Sequence, residues 1–335
     1  MKWMTISIFC TLSLFAEKME RRVDVLEHQM GEVGTKTPSG EYGAQLANAT
    51  FERGWVGVEL FGSPLYWHAK VGGTEYVYSL VSGKGKVESQ SFDWDFGYRL
   101  GAGVFLPIVK WEVLGTYTHF GTQDTEGRGV IPPSLLVNLR GSFFVFSQSV
   151  KSSYDIDYDT VSFELKRSSF LGSLLGLGSS LGVKQGWIDQ KQSVTYSAFQ
   201  EELTKVKDRC RFRGVGPLLG MNINWHLFSG FSFLGDIKGA LLYGDFEVKH
   251  TEPPIEVKGA AHLFSPNLSF TFGLNKDFPI GGAQVFISLA YEADYYWRQN
   301  QMVTMEDADR GRLKIARQAE DLTFYGVTGR LGIEF

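Results

Sequence analysis

The sequence has little proline, little cysteine and, past its first residues, no long run of apolar side chains. Of 335 residues, 10 are proline and 2 are cysteine. Without a stretch of about 18 apolar residues beyond the N-terminus, a helical membrane protein is excluded. Cys10 lies in a predicted export signal, so Cys210 has no internal partner and no disulfide framework is expected. Cys210 is either an inert thiol or an intermolecular bridge in an oxidising compartment.

The sequence also lacks the motifs that mark common enzymes and metal sites. The formal net charge of −4 gives no support to a nucleic-acid partner. The histidines are scattered without metal-ligand spacing, and no CxxC, GxSxG, P-loop or GxGxxG motif occurs. We therefore predict no enzymatic activity, no cofactor and no bound metal.

What the sequence does contain is glycine, aromatic residues and long alternating segments. The clearest segment is Ala283–Arg298, AQVFISLAYEADYYWR, in which most odd positions are apolar and most even positions are polar. Alternation of period two predicts a strand with one apolar and one polar face. At about 16 residues this strand is much longer than the usual five or six. Its apolar face ends in Tyr and Trp, which concentrate where hydrocarbon meets water.

The N-terminal residues predict export followed by a short helix. Residues 1–16 combine Lys2 with an apolar run and are predicted to be a signal peptide. Residues 17–33 carry a heptad seam between positions 19 and 33, which is either an oligomerising stalk or a loose amphipathic helix or linker. Residues 34–53 are polar and glycine-rich and are predicted to be a tether. Residues 54–335 are predicted to be the folded domain.

Ten long alternating segments fill residues 54–335, and the links between them alternate in length. The short links are 107–110, 168–171, 226–230 and 275–282. The long links, which alternate with them, are 121–153, 189–210, 246–261 and 299–320. Outer-membrane barrels have short periplasmic turns and longer external loops in this alternation. The pattern predicts an all-β fold, a transmembrane antiparallel up-and-down β-barrel of about ten strands. The apolar segment in 135–147 is either an extra hairpin, which would give twelve strands, or a loop folded into the barrel mouth. Residues 75–81 extend the first hairpin or form a short strand.

Four sequence blocks resemble a known family. They are SFDWDFGYRLGAGVFLP with WEVLGTYTHF in 91–120, LGVKQGWIDQKQSVTY in 181–196, RGVGPLLGMNINWHLFSGFSFLGDIKGALLYGDFEV in 213–248, and YEADYYWRQNQM in 291–302. These blocks resemble the pore-forming major outer-membrane proteins of Legionella and environmental chlamydiae. The resemblance implies an outer-membrane β-barrel acting as a porin, with no catalytic motif. The terminal Phe335 is similar to the signal that the barrel-assembly machinery reads.

Strand parity predicts which charged residues line the lumen. The predicted pore-lining residues are Asp93, Asp95, Arg99, Glu112, Glu164, Lys166, Lys184, Asp236, Lys238, Glu292, Asp294, Arg298 and Arg330. Their signs are mixed, so we expect weak selectivity at most, in favour of cations.

The predicted function is passive diffusion of small hydrophilic solutes and ions through the outer membrane, with membrane lipid and the assembly machinery as partners. One alternative is a surface adhesin or structural protein whose lumen is plugged by side chains. A second alternative is an outer-membrane protease, for which His119, Asp93, Asp95 and Asp155 near the outer rim would be the candidates.

Overall fold

The computed structural model describes residues 56–335 except for 82–83, 107–110, 132–133, 142–145, 172–174, 199–200, 229, 281–282 and 309–311. The predicted signal peptide, heptad helix and tether lie outside the described residues. No helix among the described residues is long and apolar enough to cross a membrane. The strands in chain order are β1 Gly57–Val71, β2 Glu75–Val81, β3 Lys84–Ser89, β4 Trp94–Leu106, β5 Trp111–Gly129, β6 Leu135–Asn138, β7 Phe146–Ser147, β8 Ser149–Leu171, β9 Leu175–Ala198, β10 Glu201–Phe228, β11 Phe231–Glu252, β12 Ile255–Ile280, β13 Ala283–Asn300, β14 Val303–Ala308, β15 Arg312–Arg317 and β16 Glu320–Glu334.

Ten of these strands close into one antiparallel barrel. Their order around the wall is β1, β16, β13, β12, β11, β10, β9, β8, β5 and β4. The barrel closes because β1 pairs with β16 on one side and with β4 on the other. Val58 and Phe335 add two backbone hydrogen bonds of 2.8 and 3.0 Å beside this seam. The predicted ten-stranded up-and-down barrel is confirmed.

The two ends of the barrel differ in how the strands are linked. We call the end that holds Gly57 and Phe335 the terminal end, and its links span only a few residues. At the opposite end, the hairpin end, the prediction of long loops is wrong in two places. β9 runs to Ala198 and β10 begins at Glu201, while β11 ends at Glu252 and β12 begins at Ile255. The alternation continues there with charged residues outside, so most of each predicted loop consists of extended strand.

Two small sheets accompany the barrel near the hairpin end. The first has the order β3, β2, β6 and β7, and it contains the ambiguous segments 75–81 and 135–147. β6 and β7, the strands described within 135–147, therefore belong to this sheet and not to the wall. Tyr76, Val77 and Leu136 of this sheet pack against the inward residues Val194 and Val206 of the wall. The sheet thus covers part of the lumen at the hairpin end. The second sheet pairs β14 with β15.

The polarity of the wall inverts along the strands. Towards the terminal end the outward residues are apolar and exposed, as with Leu219 at 62 % and Leu289 at 64 %. Such a surface is unfavourable in water and matches the lipid-facing band of a membrane barrel. Towards the hairpin end the outward residues are charged, whereas inward residues such as Phe212 are apolar and buried. We call these two parts the terminal half and the hairpin half.

Candidate functional site

The lumen of the hairpin half is filled by one packed apolar core. Its largest members, all with 1 % exposure or less, are Trp67, Phe120, Tyr154, Tyr158, Phe212, Phe246, Tyr296 and Phe324. The ring centres of Tyr158 and Phe324 are 4.6 Å apart, and those of Phe120 and Phe324 are 5.4 Å apart. These separations are typical of packed aromatic pairs. The core occludes the lumen at this level.

An ionic layer lies directly below the aromatic core. Arg99 of β4 donates two hydrogen bonds to the carboxylate of Glu292 on β13, at 3.0 and 2.8 Å. Its Nε donates to the Thr118 hydroxyl at 2.9 Å. The Thr328 hydroxyl donates to Glu292 at 2.9 Å and accepts from the indole of Trp67 at 3.1 Å. These hydrogen bonds tie the ionic layer to the aromatic core.

A second group in the ionic layer is centred on Asp294. Lys184 lies 3.5 Å from Asp294 and donates to the Asn267 amide oxygen at 2.8 Å. The Tyr158 hydroxyl donates to Asp294 at 2.7 Å and so joins this group to the aromatic core. Because buried charges are costly unless they are paired, these contacts are what allow Lys184 and Asp294 to lie inside the barrel.

A third group is formed by Lys238 of β11. Its ammonium lies 2.9 Å from Glu164 on β8 and 3.3 Å from Asp236 on its own strand. Together the three groups place cations and carboxylates from several strands at one level of the lumen. The charges are nearly balanced, which agrees with the mixed signs expected from the sequence.

Arg330 occupies the lumen closer to the terminal end. Its guanidinium lies 3.6 Å from the ring centre of Phe61 and 5.0 Å from that of Phe286. It also donates to the Glu59 carboxylate at 2.5 Å. The cation thus lies between two aromatic faces, a favourable arrangement for guanidinium.

Two adjoining cavities remain in the terminal half. One of about 160 Å³ lies within the ionic layer, and one of about 270 Å³ lies towards the terminal end. Both are bordered by Lys166, Asp236, Ser288 and Arg330. Polar groups and room for several water molecules make this part of the lumen a polar chamber that water can fill.

The structure distributes the predicted pore-lining residues unevenly. Ten of them point into the lumen of the terminal half or the ionic layer: Arg99, Glu112, Glu164, Lys166, Lys184, Asp236, Lys238, Glu292, Asp294 and Arg330. Asp95 lies near the start of β4 and accepts a hydrogen bond from Thr122 at 2.5 Å. Asp93 precedes β4 and is exposed.

Arg298 is a correction to the predicted pore lining. Its backbone adopts φ 53°, which breaks the alternation of β13, and its side chain is exposed. Asp321 accepts a hydrogen bond from the backbone nitrogen of Arg298 at 2.7 Å and holds this turn. Arg298 therefore does not line the lumen, and parity fails here because a left-handed residue reorients the chain.

The aromatic core is what the reasoning from sequence missed. Tyr158, Tyr296 and Phe324 share inward parity with the charged residues of their own strands. Extending the parity rule to apolar residues beyond the lipid-facing band would have identified them. Parity applied to charged residues alone does not reveal the occluding layer.

The residues considered for a rim protease do not converge. His119 contacts Asp159 at 2.9 Å on the outward surface. Asp155 also faces outwards and is 3.6 Å from Lys191. Asp95 is bonded to the buried Thr122 instead. Among the described residues no group of His, Cys, Asp and Glu has the arrangement of a metal site.

A closed antiparallel barrel with an outward apolar band and a polar interior defines the class of outer-membrane β-barrel proteins. The outer membrane is accordingly its location. Within that class, residues 55–335 match the family described as Legionella pneumophila major outer membrane protein precursor, and the chain belongs to this family. The resemblance carried by the four sequence blocks is thereby confirmed. No curated protein matches the sequence.

Three solved structures with a similar course of the chain have little sequence identity to it. The outer membrane protease OmpT from Escherichia coli has 10 % identity and a TM-score of 0.43, covering 83 % of this chain and 96 % of that one. The translocator domain of the autotransporter NalP from Neisseria meningitidis has 12 % identity and a TM-score of 0.33, covering 96 % and 98 %. A Pseudomonas aeruginosa FadL homologue has 7 % identity and a TM-score of 0.26, covering 84 % and 90 %. None of these likenesses carries a conclusion about activity.

Proposed function

We propose that the protein is an outer-membrane pore for ions and small hydrophilic solutes, and that the described conformation is its closed state. The observation that carries the proposal is the polar, charged chamber of the terminal half, with Arg99, Glu292 and Lys238 at its upper boundary. The hairpin half is filled mainly by apolar side chains, although it also buries Asp208 at 3.9 Å from Arg140 and 2.6 Å from His250. Burying ion pairs costs desolvation energy, and a solute pathway would explain why three groups of them border the cavities of the terminal half.

In this proposal the aromatic core of the hairpin half is the gate. Trp67, which contacts the ring of Phe120, and Tyr158, which contacts the ring of Phe324, connect the gate to the ionic layer through hydrogen bonds with Thr328 and Asp294. Solute passage requires these rings to move aside. The protein acts without catalysis, and its partners are membrane lipid and the assembly machinery that reads Phe335.

Planar-bilayer conductance of the refolded protein tests the proposal. We expect small or intermittent single-channel steps, with weak preference for cations under a salt gradient because the lumen charges are nearly balanced. Phe324→Ala should enlarge the conductance or the open fraction, since it removes a ring from the gate. Phe272→Ala is the matched control, because this ring faces outwards and is 54 % exposed. Folding of each variant is checked by heat-modifiable gel migration.

A second candidate is a surface structural or adhesive protein with a permanently plugged lumen. The observation in its favour is the near-complete burial of the aromatic core. Electrical silence of both the wild type and the folded Phe324→Ala variant would favour this candidate and remove the pore. Function would then be sought in the sheets at the hairpin end.

A further inference from the structure

The hairpin half concentrates positive charge on one part of its outward surface. The intervening residues Val206, Asp208, Cys210 and Phe212 of β10 are buried, so the residues between them face outwards. Five successive outward positions of β10 are basic: Lys205, Lys207, Arg209, Arg211 and Arg213. We call these five residues, together with Lys191 on β9 and Lys249 on β11, the cationic face.

The register of the sheet brings like charges side by side on this face. Arg209 is paired with Lys191 on one neighbouring strand and with Lys249 on the other. Like charges directly opposite each other destabilise a sheet. The repulsion within such a row is reduced by neighbouring carboxylates or by bound anions.

The carboxylates on the same stretch of β9 to β11 do not balance the cations. Seven basic residues face three outward carboxylates, Asp189, Asp245 and Glu247. Carboxylates on the next strands neutralise part of the charge. Lys191 lies 3.3 Å from Asp157 and 3.6 Å from Asp155 on β8, and Lys249 lies 3.3 Å from Glu256 on β12. Lys207 has no ion-pair partner within the described part of the chain, so the positive charge that remains is centred on Lys207, although the whole protein is net negative.

A surface cleft lies at the centre of the cationic face. Its volume is about 480 Å³. Residues bordering it include the cations Lys191, Lys207, Arg209 and Lys249, the carboxylate Asp155, and the hydroxyls of Ser153, Ser193 and Thr251. Converging ammonium, guanidinium and hydroxyl groups suit a phosphate group, which accepts several charge-assisted hydrogen bonds.

The position of the face along the barrel axis points to a lipid headgroup. Val215 and Tyr243 begin the outward apolar band, and Arg213 lies two residues further towards the hairpin end. Arg209 is six residues from Val215, roughly 15 Å along a tilted strand. Arg213 therefore lies at the level of the headgroup atoms nearest the hydrocarbon, whereas Arg209 lies at the level of the outer part of a large lipid headgroup.

We propose that the cationic face binds the phosphates of a phosphorylated glycolipid of the outer leaflet. A lateral wall beside the membrane favours a lipid over a soluble polyanion, which would approach from the open hairpin end. The proposal rests on the outer-membrane location and does not depend on conduction.

Binding of fluorescent diphosphoryl lipid A to the purified protein in neutral detergent micelles tests the proposal. The variant Lys207→Gln, Arg209→Gln and Lys249→Gln should bind about tenfold more weakly or worse, because each surface cation contributes to anionic-lipid affinity. The matched control is Lys84→Gln, Lys86→Gln and Arg128→Gln, which removes two lysines and one arginine from elsewhere in the hairpin half and should bind as the wild type does.

A second measurement keeps the test decisive if the triple variant fails to fold. The wild type should bind diphosphoryl lipid A at least about tenfold more tightly than the dephosphorylated lipid, and rising salt should weaken only the former. Equal binding of the two lipids, or unchanged binding by the folded triple variant, overturns the proposal. Equally tight binding of soluble heparin would replace the glycolipid with a soluble polyanion.

Discussion

The ion pair between Arg99 and Glu292 should be essential for the stability of the barrel. The Glu292 side chain is 4 % exposed and that of Arg99 is 21 % exposed, so water screens the carboxylate poorly and the guanidinium only in part. In Arg99→Met the Glu292 carboxylate loses both guanidinium hydrogen bonds and keeps the one from the Thr328 hydroxyl. Removing one partner of a buried pair costs about 3–5 kcal/mol because the other charge stays buried and uncompensated. We expect a loss near 3 kcal/mol, at the lower end of that range, since Arg99 is partly exposed.

A double-mutant cycle separates the pair from the individual residues. Glu292→Gln keeps the shape and should cost about 2 kcal/mol by leaving Arg99 without its carboxylate. The double variant should lose at least about 1 kcal/mol less than the sum of the two single variants, because neither charge is then left unpaired. Equilibrium unfolding by urea in phospholipid vesicles, followed by tryptophan fluorescence, measures all three.

The pair Lys86–Glu88, whose lysine is exposed and whose glutamate is half-buried, provides the control for this cycle. The Lys86 side chain is 72 % exposed, so Lys86→Met should change stability by less than about 0.5 kcal/mol. If Arg99→Met is as mild as Lys86→Met, or if the single effects add without coupling, the ionic layer is solvated and the reasoning from burial is refuted.

Three further predictions concern the gate, the seam and one glycine. Cys210 is fully buried in the aromatic core, so a polar maleimide should label it at least about tenfold more slowly in the folded barrel than in urea. Labelling should be faster in the folded Phe324→Ala variant if the gate opens there. Rapid labelling of the folded wild type would contradict the packing. Phe335→Ser keeps the backbone hydrogen bonds to Val58, so the refolding yield in detergent should be unaffected. The amount of protein that reaches the outer membrane in cells should fall, because the assembly signal is lost. An equal decrease in both quantities would indicate a purely structural role. Gly101→Ala places a Cβ 2.1 Å from the ring of Phe61 and should lower the free energy of unfolding in urea by about 1–3 kcal/mol. Gly235→Ala is the control, because no atom lies near its Cβ, and it should leave the free energy of unfolding unchanged.

The wall of the barrel could be predicted from sequence because it obeys a local rule. Alternation of period two identifies each of the ten strands without knowledge of its partners. The strand ends are harder to predict. In Lys205–Phe212 the alternation persists with charged residues outside, but a polar segment between two apolar strands resembles a loop.

The contacts across the lumen could not be predicted in the same way. Arg99 and Glu292 are 193 positions apart, and their meeting depends on the registers of the intervening strands and on the tilt that closes the barrel. Parity states that both side chains point inwards, but it does not state at which level or towards which partner. Arg298 adds a different failure, because a single left-handed residue disrupts the alternation at the end of β13.

The inversion of polarity along β10 connects the fold with both proposals. Below Arg213, the outward residues Val215 and Leu219 are apolar, whereas the inward Asn222 is polar, as in a membrane barrel. Above it the outward residues are basic and the inward Phe212 is apolar, as in a water-soluble barrel. The hairpin half therefore projects from the bilayer with its own apolar core, which is also the proposed gate. Opening of the pore then requires rearrangement only in the hairpin half, while the strands of the terminal half keep their pairing in the lipid. A glycolipid bound to the cationic face would contact the wall around the gate directly.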